Sequence, residues 1–314
     1  MATGIVGLAV RDVGSWTIAW VFAAFAATLY VVLIALHVRV RWVPSSRGQV
    51  VQLFAFVAAC EVLASLSTWH ALSVVLWAVG VAAWFAIVAR GLRNPRDDQV
   101  VRPSWLLAPV ATSSLAVAGA PIARRIHSDV LLAICALCWL LGLVLYALVM
   151  GLIFERARRR TLEIDDVQGE HWVAMGALAI ATLAGSRVVA GTTVLRWAPG
   201  LHEAAHVLTM VVWVTALCWL PVLVAGEAWR LRRRPLYTHG RWSSVFPLGM
   251  LAVASHTLWL TQSVPAAHVV SDVFAPLAVA AWLATAIGFA ILRPPTSGLP
   301  PPTQASVRDR PRAP

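Results

Sequence analysis

Nine stretches of apolar residues, each long enough to cross a hydrocarbon core of about 30 Å, run along this chain. They cover 15–38, 50–68, 71–89, 104–123, 129–154, 172–191, 205–228, 242–260 and 272–292. A tenth stretch, 1–10, is apolar but too short to cross by itself. A second pattern lies inside the first. Segments rich in small residues (1–10, 54–67, 110–120, 175–186 and 248–257) alternate with bulkier ones built around Trp20, Trp77, Trp84, Trp139, Trp213, Trp219 and Trp282. Small residues let membrane helices crowd together, and bulky ones face lipid. The alternation therefore predicts a ring of small-residue helices with inward hydroxyls, enclosed by an outer layer.

The polar breaks give the connectivity. Residues 69–70 and 126–128 are short links, whereas the breaks on the opposite side are longer and rich in arginine. That spacing predicts five helical hairpins, each with a small-residue member first, all entering the membrane in the same direction. Such parallel repeats are related by an axis along the membrane normal and close naturally into a ring. The expected fold is an all-α polytopic membrane protein of ten transmembrane helices around a central pore. Residues 1–293 form the transmembrane domain. Residues 294–314, rich in proline and polar side chains, read as a disordered tail.

Composition agrees: 60% of residues are hydrophobic and 12% charged. The formal charge of +11 comes from arginine without any lysine. Most of these arginines lie in the longer breaks, while the hairpin links hold only Arg11, Arg124, Arg125 and Arg196. This is the positive-inside distribution. It puts the C-terminus in the cytoplasm and makes the basic charge orienting charge, so the expected partners are the lipid bilayer and small solutes, with no nucleic acid. No basic n-region of a cleavable signal peptide precedes the first apolar stretch. Cys60, Cys135, Cys138 and Cys218 all fall inside apolar spans and read as small core residues; no cofactor is expected.

Several side chains stand out chemically. Phe246-Pro247 lies in the ninth span, where proline removes a backbone donor and predicts a kink or break. The kink would aim the Phe246 ring at the axis; the other reading is an ordinary packed phenylalanine. Glu61 is the one carboxylate deep in a span. Placing a charge there costs about 2.5–3.5 kcal/mol on insertion scales, so such groups face a cavity or pair. It reads either as a protonatable pore residue or as a neutral side chain bonded to nearby backbone. Arg187, toward the outer end of the seventh span, reads either as an attractor of anions at the outer mouth or as a side chain snorkelling to the interface. Thr3, Ser65, Thr112, Ser113, Ser114, Thr182, Ser186 and Ser255 are candidate pore-lining hydroxyls, against the alternative that they bond back to their own helices.

The segments MATGIVGLA, PSWLLAPVATSSLAV, HWVAMGALAIATLAGS and WSSVFPLGMLAVAS, in that order, resemble the tellurite-resistance/dicarboxylate transporter family, which includes the bacterial TehA channel and the plant guard-cell slow anion channel. The resemblance covers about residues 1–292. It implies five inner helices around a pore, five outer helices, a homotrimer with one pore per subunit, and transport of small anions: inorganic ions, oxyanions such as tellurite, or dicarboxylates. It also implies that Phe246, immediately before Pro247, occludes the pore. Two departures accompany it. Family members begin upstream of the first segment, so the first inner helix reads as truncated, and Glu61 stands where a small residue is expected.

Two other functions are open to the sequence. One is proton-coupled dicarboxylate transport by the same fold, through Glu61. The other is an intramembrane zinc protease, because residues 202–206 read H-E-x-x-H and place His202 and His206 on one helix face with Glu203 as base. That segment opens a span at the outer edge and no motif supplies a third ligand, so no metal site is expected.

Overall fold

In the computed structural model, residues 1–40, 47–93, 103–159, 171–232 and 241–291 are described here. Among them there are helices and turns and no strand. The helices are α1 (Ala2–Asp12), α2 (Trp16–Val40), α3 (Arg47–Gln52), α4 (Phe54–Leu66), α5 (His70–Arg93), α6 (Leu107–Arg125), α7 (Asp129–Arg159), α8 (Trp172–Val194), α9 (Pro199–Leu231), α10 (Trp242–Gln262) and α11 (Pro265–Ile291), with a 3₁₀ turn at Pro103–Leu106. Nine spans among the described residues are long and apolar enough to cross a membrane, one of them joining α3 and α4. The expected tail, 294–314, lies outside the described residues.

The five hairpins α1–α2, α4–α5, α6–α7, α8–α9 and α10–α11 are present, and each packs along its own length. Helices α1, α4, α6, α8 and α10 touch in sequence, and α10 returns to α1 to close a ring. Burial separates the two layers. The α6 and α8 spans are 83% and 89% buried, whereas those of α5 and α11 are 11% and 17% buried. Small side chains permit this crowding. A Cβ on Gly176 of α8 would lie 2.9 Å from the Pro247 ring of α10, and one on Gly142 of α7 would strike Ser113 of α6.

A stitch repeats around the ring. The outer helix of each hairpin sets a polar aromatic side chain on the inner helix of the next. Trp84 Nε1 donates to Thr112 Oγ1 at 2.9 Å, Trp213 Nε1 to Ser255 Oγ at 2.9 Å and Trp282 Nε1 to Thr3 Oγ1 at 3.1 Å. Tyr30 hydroxyl and Cys60 sulfur, 3.0 Å apart, make the equivalent contact from α2 to α4. In the fifth position Trp139 packs on Gly185, and its indole N–H has no acceptor. Trp139 and Trp213, expected to face lipid, are only 2% and 5% exposed. The hairpin turns repeat too. Ser15, Ser128 and Trp197 donate to the carbonyls of Val10, Ala123 and Thr192 at 2.9–3.1 Å, each closing a helix C-terminus beside a residue of positive φ: Gly14, His127 or Arg196.

Three boundaries depart from expectation. Helix α9 begins at Pro199 rather than 205 and α11 at Pro265 rather than 272, because proline suits a first helical position and the polar residues that follow ride on the helix. The span expected over 50–68 is divided between α3 and α4 at Leu53. Helix α10 is unbroken through Pro247. That proline stands near the helix start and deletes a single ladder bond, so the helix is not broken there.

Candidate functional site

All five inner helices surround one cavity of about 970 Å³ at the hairpin end of the ring. Its basic lining comes from Arg11 (α1), Arg124 and Arg125 (α6) and Arg187 (α8), with His70, His127 and His256; Asp12 is its carboxylate. Helices built for packing in lipid expose few charges, so this concentration at one end of the axis sets a strongly positive field.

Two of the arginines also fasten the ring. Arg187 Nη1 donates to Ser65 Oγ at 3.0 Å and to the Val117 carbonyl, joining α8 to α4 and α6. Arg11 Nη1 donates to the Ser65 carbonyl at 3.0 Å, while its Nε and Nη2 reach Asp12 Oδ1 at 3.4 and 3.3 Å. The side chains of Arg124 and Arg125 make no hydrogen bond or ion pair among the described residues. His256 Nδ1 is buried without a partner, its ring 5.5 Å from that of Trp259.

Ile5, Leu8, Leu183, Met250 and Phe246, from the inner helices α1, α8 and α10, belong to one buried apolar cluster. Phe246 is 2% exposed. Thr257, eleven residues further along α10, lines the cavity. Eleven residues are three helical turns to within about 20°, so Phe246 shares the helix face of Thr257 and lies about 16 Å below it along α10. The neighbours of α10 agree, since Pro247 packs on α8 and Gly249 on Ile5 of α1, to either side of that face.

The expected hydroxyls separate into three groups. Ser65 lines the cavity, and Ser114, one turn below the cavity-lining Ala118, donates back to the Ala111 carbonyl of its own helix at 2.7 Å. Thr3, Thr112 and Ser255 take hydrogen bonds from outer-helix indoles, and Ser113 abuts Gly142 of α7, so these four turn away from the axis. Thr182 bonds back to the Leu178 carbonyl at 2.9 Å, and Ser186 Oγ is buried without a partner. Glu61, read as pore-lining, is fully buried with both oxygens unpartnered, and its Oε1 lies against Gly80 of the outer helix α5. A Cβ at position 80 would strike that oxygen and make the Glu61 side chain swing aside.

The H-E-x-x-H segment assembles no ligand set. His202 Nδ1 is 2.9 Å from Thr192 Oγ1, and His206 Nδ1 is 3.9 Å from Glu203. His268 and Asp272, the nearest thing to further ligands in the sequence, pair with each other at 3.2 Å. Among the described residues no group of three or more histidine, cysteine or acidic side chains could hold a metal ion.

Sequence reasoning passed over Arg11, Arg124 and Asp12. Their signal was the positive-inside pattern itself: of the four arginines on the hairpin side, three line the cavity.

The sequence profile of the voltage-dependent anion channel family (SLAC1) matches residues 1–290. Two uncharacterized membrane proteins of Mycobacterium tuberculosis, from strains CDC 1551 / Oshkosh and ATCC 25618 / H37Rv, are each 35% identical to this chain over 146 residues, 45% of this chain and 73% of theirs.

Proposed function

We propose that this chain, which belongs to the voltage-dependent anion channel family, passes small anions along the axis of its five-helix ring with Phe246 as the gate. Membership of that family implies anion transport through a multi-pass membrane protein. The observation that carries the finer reading is the arginine-lined cavity at one end of the axis, with an apolar plug and Phe246 in line beneath it. A positive mouth raises the local anion concentration, and a hydrophobic constriction excludes water until it opens.

Ser65 and Arg187 then act at the mouth, Arg187 drawing anions in. The substrates are inorganic anions, oxyanions such as tellurite, or dicarboxylates. The protein works in the plasma membrane as a homotrimer with one pore per subunit, its C-terminus cytoplasmic and its arginine-lined cavity on the opposite face. In liposomes, Phe246→Ala raises anion permeation by about tenfold or more, the effect of taking roughly 1.4 kcal/mol off a barrier. Unchanged permeation in a folded Phe246→Ala protein refutes the gate.

Glu61 supports a second reading. Its buried, unpartnered carboxyl lies within electrostatic reach of Arg187, an arrangement suited to proton-coupled dicarboxylate uptake.

A further inference from the structure

We infer that Cys135 and Cys138 form an intramembrane binding site for a soft divalent cation that takes two ligands in line, such as mercury(II), with Glu61 carrying off the thiol protons. The site lies where α7 meets α4, α5 and α6, apart from the cavity, and it does not depend on the permeation reading.

The two free thiols are one turn apart on α7. Cys135 Sγ points at α6: a Cβ on Gly119 would lie 2.7 Å from it and 2.9 Å from Trp77 Nε1 of α5. Trp77 and Gly80 share a face of α5, about 4.5 Å apart along the helix. Helices α5 and α7 are both second members of hairpins and run in the same direction, so the step from Cys135 to Cys138 matches the step from Trp77 to Gly80. Glu61 Oε1 lies against Gly80, which puts its carboxyl at the level of Cys138. The electrostatics agree, since the charge of Glu61 bears on both thiols and that of Cys138 on Cys135. Cys138 packs against an apolar cluster drawn from α4, α5 and α6.

The spacing favours a bridge over a disulfide. On a helix, Cβ atoms at i and i+3 stand about 5–6 Å apart, whereas a disulfide needs about 3.5–4.5 Å. An ion with two metal–sulfur bonds of about 2.3 Å in line spans roughly 4.6 Å from sulfur to sulfur, which suits the wider separation. Zinc takes four ligands and finds no such set among the described residues.

Burial selects the charge. Cys135 is 2% exposed, and an apolar site resists net charge. A divalent ion between two thiolates is neutral, whereas silver(I) or copper(I) between the same thiolates leaves one negative charge. Mercuric chloride arrives as a neutral linear molecule. Two S–H and two Hg–Cl bonds break, two S–Hg bonds form, and two protons and two chlorides leave; nothing is oxidised or reduced. Glu61 is the proton carrier because it is buried at the level of the thiols with both oxygens unpartnered.

The test is titration of the full chain in nanodiscs with mercuric chloride, in a Cys60→Ser/Cys218→Ser background that leaves these two thiols alone. Serine at 60 keeps a partner for the Tyr30 hydroxyl. Ultraviolet absorbance follows sulfur-to-mercury charge transfer, and a maleimide counts the thiols that remain. One ion binds per chain and consumes both thiols. Cys135→Ser and Cys138→Ser each weaken binding about a hundredfold or more, because the second sulfur acts at high effective concentration. Glu61→Gln slows capture about tenfold and leaves affinity unchanged. Two ions per chain, one on each thiol, overturns the bridge, and that count needs no substitution at either cysteine. Parent affinity in either serine variant, or zinc bound as tightly as mercury, overturns it too. Capture at the parent rate in Glu61→Gln overturns the proton role. Binding is read without ion flow, so failure here leaves the gate untouched, and a silent Phe246→Ala variant leaves this result standing.

Discussion

Ser255→Ala separates a pore hydroxyl from a structural one. Ser255 is fully buried and accepts the Trp213 indole N–H at 2.9 Å, and Trp213 is itself 5% exposed. The substitution removes the acceptor and leaves the indole donor buried. In water-soluble cores an orphaned donor costs about 1–3 kcal/mol, whereas interhelical hydrogen bonds within membranes average about 0.6 kcal/mol and reach about 1.7. The membrane value applies here, because the unfolded helices also find partners in the bilayer. Ser255→Ala alone should therefore lower stability by about 0.6–1.7 kcal/mol. Thr3 and Thr112 belong to other stitches, so the three effects should add, and Thr3→Val/Thr112→Val/Ser255→Ala should lose at least about 2 kcal/mol. Reversible unfolding in bicelles measures the stability; a double-mutant cycle with Trp213→Phe isolates the bond itself; anion flux in liposomes gives the functional readout. Flux should stay within about twofold of the parent protein, since the hydroxyl faces away from the axis, a difference of about 0.4 kcal/mol in barrier. A large loss of flux at unchanged stability, or zero coupling between Trp213 and Ser255, would refute the stitch and return Ser255 to the pore.

Glu61→Gln should leave anion permeation within about twofold of the parent and insensitive to a pH gradient, because the side chain lies against Gly80 rather than on the axis. Uphill uptake driven by a proton gradient and lost in that variant would favour coupled transport instead. Arg196→Gly should stabilise the α8–α9 turn by about 0.5–1 kcal/mol, because Arg196 holds φ at 54°, where a Cβ is penalised; an unchanged unfolding midpoint would show that the turn does not limit stability.

The hairpins and their small-then-bulky order are legible in the sequence because lipid imposes one solvent on every span. Periodic small residues and polar links then carry nearly all the information. Direction around each helix is much less legible. Thr112, Ser113 and Ser114 are consecutive and lie about 100° apart, so one run of hydroxyls addresses α5, α7 and the axis face in turn. Composition cannot say which is which. Trp84 and Trp213 were equally ambiguous, since an amphipathic ring fits a lipid interface and also fits a groove that offers it an acceptor. The cavity is assembled from helix ends far apart in the chain, so no local motif announces it. Glu61 was conspicuous in the sequence, yet its orientation depended on a glycine in the neighbouring helix.

The last stitch has a bearing on how the protein is made. Trp282 reaches Thr3 across 279 positions of sequence, from the final hairpin back to the first helix. Helices leave the ribosome in order, so α2 can dock on α4, α5 on α6 and α7 on α8 while synthesis continues, but α1 has no partner on its far side until the last hairpin, α10–α11, arrives. Throughout that interval the nascent ring is an open arc with one helix edge bare. A chaperone or insertase that shields this edge, or a premature stop before α10 that leaves it bare for good, would therefore decide whether the arc closes on itself or on a neighbouring chain.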